Sequence, residues 1–467
     1  MSIQLVIVCL YIALLFGISF WTKHLADKGS TEYLLAGRKF GPMLIAVNVT
    51  GLAVGAASTV GVAERAFNVG LSAGWYNGAW SIGAIFMGLV AAGRIRRAKV
   101  STIPQFFENY YDTKGRVIGA IGLIIIMGVI TSLQYLAGGA ILSALLPNVF
   151  TFKTGMLASA VVFIGVTLIG GMWSSGLANI LSVLLIYGGV LFCCFTSVGN
   201  LGGMDVLMSK IPQASFMDPM GGLPLAIIIG WIIVMMTQTV TAQGPVQIVC
   251  GARDEAAARN GYVLAGLMIF PIGFLCALIG VVGKVMFPEI VPATVLPKVI
   301  MSLNPFASGV TLAAMWAADV STACTILLGT GTLFSQDIYK RFINSNISDK
   351  DFVKTNRMII VVIGLATLWF AFNAVGIVKT MIAGLSMTTG LTCVFLFTIF
   401  APGLCRKSSA FWVTLASLIG IPMYKYIPAL KVFPHEIYFL WVLCLAVFFA
   451  VMVLDKEPIK QITFEEE

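Results

Sequence analysis

Residues 308–334 form an apolar run long enough to cross a lipid bilayer, yet its middle reads Ala317-Ala318-Asp319-Val320-Ser321-Thr322. A carboxylate and two hydroxyls at membrane depth are costly. An Asp at the centre of a spanning helix costs roughly 2.5 to 3.5 kcal/mol on insertion scales, so such residues mark an ion or substrate site by default. A hard monovalent cation wants about five neutral oxygens, and two adjacent hydroxyls facing frayed backbone carbonyls can supply them. The competing role is structural: Ser and Thr in membrane helices commonly bond back to the carbonyl four residues earlier.

Frayed carbonyls need a broken helix, and two segments are poor enough helix formers to provide one. The first is Asn48-Val-Thr-Gly-Leu-Ala-Val-Gly-Ala-Ala-Ser-Thr-Val-Gly61, with its glycines, hydroxyls and amide; the second is Thr237-Gln-Thr-Val-Thr-Ala-Gln-Gly-Pro-Val-Gln247. Glycine in a membrane helix also serves close packing, so both readings stand for the first segment. Interruptions at corresponding positions of two halves point to a transport site at an inverted-repeat interface. No plain sequence identity links the halves, so the repeat rests on placement.

The elements that hold these residues are membrane helices. With 59% hydrophobic and 10% charged residues, the chain is far more apolar than a soluble domain, of which about 25% is charged. About thirteen apolar spans, each near or above the ~20 residues a transmembrane helix needs, run over residues 3–22, 41–62, 70–93, 117–146, 154–171, 177–198, 223–243, 261–284, 307–334, 356–376, 378–402, 409–428 and 436–454. The first lacks a basic leader and a small-residue cleavage site, so it is expected to stay as a helix. With the spans taken in alternation, 21 of the 29 Lys and Arg fall on one side. The positive-inside rule makes that side cytoplasmic, with the N-terminus outside and the C-terminus, including the acidic tail Glu465-Glu466-Glu467, inside.

Several function classes are excluded. The net charge of +9 could suggest nucleic acid, but basic loops beside apolar spans are the ordinary product of membrane insertion, and no nucleic-acid partner is expected. Most of the nine cysteines lie inside apolar runs without metal-ligand spacing. No GxxxxGK[ST] segment supports a primary pump, and the two histidines, His24 and His435, offer no catalytic set, so no enzyme is expected. A channel would need a polar stripe through several spans, and a sensor an appended soluble domain.

The run Ser30-Thr-Glu-Tyr-Leu-Leu-Ala-Gly-Arg-Lys39 resembles the "EYFLAGR" segment of the sodium:solute symporter family. In order along the chain, Ala66-Phe-Asn-Val-Gly-Leu71, Ser101-Thr-Ile-Pro-Gln-Phe-Phe-Glu108, Thr167-Leu-Ile-Gly-Gly-Met-Trp-Ser-Ser175 and Asp337-Ile-Tyr-Lys340 are similar to four further motifs of that family. The resemblance implies an all-α integral membrane protein of LeuT-type architecture. Its parts would be a leading helix and loop (residues 1–40), two inverted five-helix repeats (41–200 and 201–405) and two trailing helices with a tail (406–467). It implies sodium entry coupled to uptake of a small organic solute by alternating access, with one chain as the functional unit. The matching sodium positions are the carbonyls of Gly51, Val54 and Ala318 and the side chains of Ser321 and Thr322.

The chain departs from the pattern in two places. Many members carry an Asp just after the "GG..AV" turn, serving a second ion; Ala178-Asn179 stands there, and one turn beyond Ser321 come Cys324 and Thr325. Asp319 stands where members commonly carry an apolar residue. It could strengthen cation binding, pair with a substrate amine or protein cation, or titrate and couple transport to protons, which would make the chain a proton-coupled symporter. Asp319→Asn should therefore change the sodium dependence or the pH profile of transport; unchanged profiles would remove all three roles.

For the solute, the places that bind sugar in relatives correspond to Ala53, Ser58, Asn77 and Ile269, a poor set of donors and acceptors, so an amino acid or carboxylate is expected over a hexose. Candidate lining residues are Ala53, Ser58, Tyr76, Asn77, Trp80, Gln134, Trp231 and Gln238, with Trp75, Tyr135 and Thr237 nearby in sequence. Helix N-termini at broken segments can hold an anionic group without an arginine.

Overall fold

The structure, a computed structural model, describes residues 3–372 and 378–460; the tail Glu465–Glu467 and residues 373–376 of the expected tenth span lie outside them. It is all-helical, with 84% helix and no strands among the described residues. That follows from the composition, because in hydrocarbon a backbone must satisfy its own N–H and C=O groups. The main helices are α1 (Ile3–Ala26), α2 (Pro42–Ala53), α3 (Val62–Val69), α4 (Trp75–Phe86), α5 (Thr113–Leu145), α6 (Phe152–Leu201), α7 (Leu225–Thr241), α8 (Gln243–Cys250), α9 (Glu255–Met286), α10 (Pro305–Thr332), α11 (Asp349–Ala371), α12 (Val378–Ser386), α13 (Thr389–Phe400), α14 (Ser409–Tyr426) and α15 (Glu436–Leu454).

Among the described residues, nine helices are long and apolar enough to cross a membrane, or ten if α7 and α8 form one span bent by 49°. Helices joined across kinks count together here, so the number is lower than the thirteen expected spans. Residues 154–171 and 177–198 fall in the two helices that meet at the Gly171 kink within α6. The helical stretch Ala57–Arg97 joins the second and third expected spans, leaving α2 as a separate short helix. α14 is diluted by the polar end Tyr424-Lys425-Tyr426.

Inside α6, Gly171 sits at φ 52°, ψ −133°, and a Cβ there would lie 2.4 Å from the Tyr33 carbonyl oxygen, so only glycine fits the kink. The kink strands carbonyls, and side chains from elsewhere take them. Tyr33 donates its hydroxyl to Thr167 O at 2.9 Å, and the Arg357 guanidinium donates to Leu168 O at 2.8 Å and Ile169 O at 3.1 Å.

α10 is the centre of the bundle: 94% of its most apolar window is buried, and it packs against α6, α5 and α1. Outward-facing Val161, Leu184 and Phe195 remain 69%, 67% and 76% exposed, as apolar groups facing lipid do.

Loops assigned to one side by alternation meet at one end of the bundle. Arg116 donates to Asp337 Oδ1 from Nε at 2.9 Å and pairs with Glu108, while Arg341 Nε reaches Glu108 Oε1 at 3.0 Å. Arg97 pairs with Glu255 at 2.7 Å and Arg357 with Asp27 at 2.7 Å. Burial would raise the Glu108 carboxyl, but hydrogen bonds from Arg341 and Arg116 and the Arg116 charge outweigh it and hold Glu108 at about 2, below its ordinary 4.5. A depressed carboxylate stabilises the fold above its unfolded value and loses that contribution as pH falls through the folded value. The melting temperature of solubilised protein should therefore drop as pH falls from about 4.5 towards 2, and Glu108→Gln should flatten that dependence. Equal slopes in the two proteins would count against it.

Candidate functional site

Two helix interruptions face each other across α10. α2 ends at Val54 (φ −94°, ψ 68°), and the chain resumes in a wide turn in which Gly61 N–H reaches back five residues to Ala56 O at 3.0 Å. Between α7 and α8, Ala242 is extended (φ −64°, ψ 139°). The cause is local: Pro245 has no N–H with which to bond Thr241 O, so the α7 ladder cannot continue. Thr392 Oγ1 donates to Thr237 O at 2.7 Å, and Tyr262 Oη to Pro245 O at 2.7 Å, covering carbonyls near the bend.

The hydroxyls of α10 meet the first break. Ser321 Oγ lies 2.8 Å from Gly51 O and 2.9 Å from Ala318 O; Thr322 Oγ1 lies 3.0, 3.1 and 3.2 Å from the carbonyls of Gly51, Leu52 and Ala318. Three carbonyls and two hydroxyls thus converge, all neutral oxygens. Thr322 also reaches the carbonyl of Leu52, which the sequence did not single out, while the Val54 N–H caps α2 by donating to Thr50 O at 2.9 Å. The approach is close because Gly55 has no side chain: a Cβ there would lie 2.4 Å from Thr322 Oγ1. The back-bonds to Ala318 coexist with the contacts across to α2, so the two competing roles of the hydroxyls are both present.

Asn179 and Thr325 flank this cluster. Asn179 Nδ2 donates to Asn48 Oδ1 at 3.1 Å, and its carboxamide packs against Gly51, where a Cβ would lie 2.9 Å from Asn179 Cγ. Thr325 Oγ1 donates to Ser321 O at 2.9 Å and lies 3.2 Å from Ser175 Oγ. Asp319 faces elsewhere. It is fully buried, and its Oδ2 would lie 2.9 Å from a Cβ on Gly138, beside Ser159 Oγ. Among the described residues, neither carboxylate oxygen has a hydrogen-bond partner and no Lys or Arg pairs with it.

A cavity lies between the two breaks. Its wall includes Leu52, Ala53, Gly55 and Ala57 from the first, Gln238, Ala242, Gly244 and Pro245 from the second, and Thr322 and Ile326 from α10. Of the candidate lining residues, Ala53, Tyr76, Trp80, Gln134 and Gln238 are on this wall. Ser58 instead donates to Ala53 O, Asn77 packs against Gly273 of α9, and Trp231 supports Tyr76 edge-on at 6.0 Å. Met127, Ile130, Met381 and Leu385 complete the wall and were missed, since an apolar residue in an apolar helix carries no sequence signal. Among the described residues no charged side chain lines the cavity, and the Gln134 Oε1 has no protein partner.

The family model described as the sodium:solute symporter family matches residues 33–420. The chain belongs to the sodium:solute symporter family. This symporter is 26% identical over 380 residues to a sodium/proline symporter of Haemophilus influenzae, covering 75% of this chain and 73% of that one. It is 25% identical over 472 residues to a sodium/glucose cotransporter of Vibrio parahaemolyticus, covering 90% and 83%. Its fold matches a sodium-coupled sialic acid symporter in a substrate-bound, outward-open state, with a TM-score of 0.86 at 18% identity over 99% of this chain and 100% of that one. A nucleobase-cation-symport-1 family transporter in a closed conformation follows at a TM-score of 0.63 and 13% identity, covering 92% and 94%. Sodium-coupled secondary transport of a small solute, by a chain that crosses the membrane several times, is its activity.

Proposed function

We propose that the chain carries a small neutral amino acid, or a carboxylate of similar size, inward together with sodium by alternating access. The observation that carries this reading is the cavity bounded by both helix breaks, with Thr322 belonging at once to its wall and to the oxygen cluster. The sodium ligands are the carbonyls of Gly51, Leu52 and Ala318 and the hydroxyls of Ser321 and Thr322. Relatives named for proline and for glucose leave the solute class to the lining, and this wall suits the former. A hexose needs a dense set of donors and acceptors, whereas Gln134, Gln238, Tyr76 and Trp80 are the few polar side chains among apolar ones beside Thr322. Backbone groups freed at the breaks suit a carboxylate without a charged partner.

The ends of the chain are proposed as expected from the loop charges: the face carrying Arg97, Arg116, Arg341 and Arg357 is cytoplasmic. Residues 41–200 and 201–405 act as the two repeats, each contributing one break. One chain is proposed as the transporting unit.

Uptake into proteoliposomes under an inward sodium gradient tests the reading. Labelled proline or another small neutral amino acid should accumulate and glucose should not; sodium-driven glucose accumulation would overturn it. Gln134→Ala should raise the solute concentration at half-maximal uptake about tenfold, the loss expected when one hydrogen bond to a charged group is removed.

A further inference from the structure

Below the cavity, towards the end of the bundle that carries Arg116 and Glu108, four buried side chains beside α10 share one kind of deficiency. Gln243 Oε1, Gln247 Oε1, Asn356 Oδ1 and Asp337 Oδ2 are all shielded from solvent and all lack a hydrogen-bond partner. Each is an acceptor. The nitrogens of the same amides are satisfied: Gln243 Nε2 donates to Ser101 O at 3.0 Å, Gln247 Nε2 to Leu34 O at 2.8 Å and Thr332 Oγ1 at 3.1 Å, and Asn356 Nδ2 to Ser335 Oγ at 2.6 Å. The donors thus fix which way each amide points and leave its oxygen free. Buried acceptors without donors are rare enough in native structures that each asks for a reason.

Their placement supplies one. Gln243 and Gln247 are four residues apart, on one face of α8, and Gly329 of α10 stands opposite, where a Cβ would lie 3.3 Å from Gln243 Cγ and 3.5 Å from Gln247 Oε1. Gly244, next to Gln243, lines the solute cavity together with Thr322 and Ile326. At the end of α10 Thr332 touches Gln247, just beyond it Ser335 donates to Thr332 O at 3.3 Å, and Asn356 joins at Ser335. The sequence ends at Asp337, whose Oδ1 is held by Arg116 and Thr102 while Oδ2 stays free. Acceptor oxygens therefore run beside α10 from the cavity to the charged end.

We propose that this column is the route by which sodium leaves the Ser321 and Thr322 oxygens for the cytoplasm, with Gln243 Oε1 and Gln247 Oε1 as its first stop and Asp337 as its last. Neutral carbonyl oxygens attract a monovalent cation but hold it weakly, the balance a passing ion requires. The pairing of donors elsewhere keeps N–H groups out of its way. Opening of α8 and α11 from α10 exposes the column to water.

The proposal rests on the sodium ligands proposed above, and its test keeps the two apart. Net sodium-driven uptake requires release of the ion inside, whereas solute counterflow, with saturating sodium on both sides, does not. In Gln243→Leu and Gln247→Leu the ratio of net uptake to counterflow should fall about tenfold, the effect of losing one oxygen contact to a charged species. An unchanged ratio overturns the route. Failure of the sodium ligands would show separately, as an unaltered sodium requirement in Ser321→Ala. A measurement on the wild-type protein covers variants that do not fold. Removing sodium should raise amide hydrogen exchange in residues 243–250 and 329–337, and unchanged protection there also overturns the route.

Discussion

Ser321→Ala and Thr322→Ala should each raise the sodium concentration for half-maximal uptake by at least about tenfold, and the double variant should lose sodium dependence in the accessible range. Each hydroxyl touches carbonyls on both sides of the interface, so its removal takes an oxygen from the proposed ion site and leaves Gly51 O or Leu52 O without its partner. The tenfold figure corresponds to about 1.4 kcal/mol, the lower end of what a contact to a charged group contributes. The outcome separates ligation from simple back-bonding to Ala318. If the hydroxyls only tied α10 to itself and to α2, the variants would melt earlier with the sodium requirement intact. Sodium titration of uptake and of solute binding decides between the two.

Gly55→Ala should reduce sodium-driven uptake by an amount comparable to the hydroxyl variants, for a steric reason. The new methyl would lie 2.4 Å from Thr322 Oγ1 and 2.9 Å from Thr322 Cβ, so either the break or α10 must shift. Inserting a methyl into a packed contact typically costs about 1 to 3 kcal/mol, and here the strain falls on the oxygens proposed to hold the ion. The effect should be non-additive with Thr322→Ala, which removes the nearest clashing atom. Losses that simply add, measured as uptake rates in the four proteins of the cycle, would place the damage elsewhere.

The membrane class and the two helix breaks were legible because each has a cause written in side chains: apolar composition, the glycines and hydroxyls from Asn48 to Gly61, and Pro245 in an otherwise helical run. The partnership of α10 with α2 was legible only through resemblance, since nothing in the local pattern says which carbonyls Ser321 and Thr322 will meet. The Leu52 carbonyl escaped notice for the same reason: a backbone oxygen that meets a distant hydroxyl leaves no mark on residue type. The Met127 and Ile130 wall escaped because cavity-facing and lipid-facing apolar residues look alike in sequence. Asn77 and Trp231 were chosen for polarity and aromaticity, but their places are decided by helices distant in sequence, α9 and α4. Where successive helices join was the least legible feature. Apolar length cannot tell a kinked helix from two helices, and the Gly171 turn in α6 is held by Tyr33 and Arg357, the latter nearly two hundred residues away.

Asp319 is the opposite case, conspicuous in sequence and isolated in the structure. Its carboxylate meets Gly138 and Ser159 and not the oxygen cluster, so Asp319→Asn probes a different contact from Ser321→Ala.

Thr322 has one foot in the oxygen cluster and the other in the cavity wall, and that sharing has a thermodynamic corollary. Two ligands that lean on one side chain cannot bind independently. Whatever factor sodium adds to the solute's affinity, the solute must add to sodium's, because both paths around the binding square end at the same state. Calorimetric titrations run in either order should return the same coupling free energy, of about 1 to 3 kcal/mol, and the shorter side chain of Thr322→Ala should shrink both legs equally.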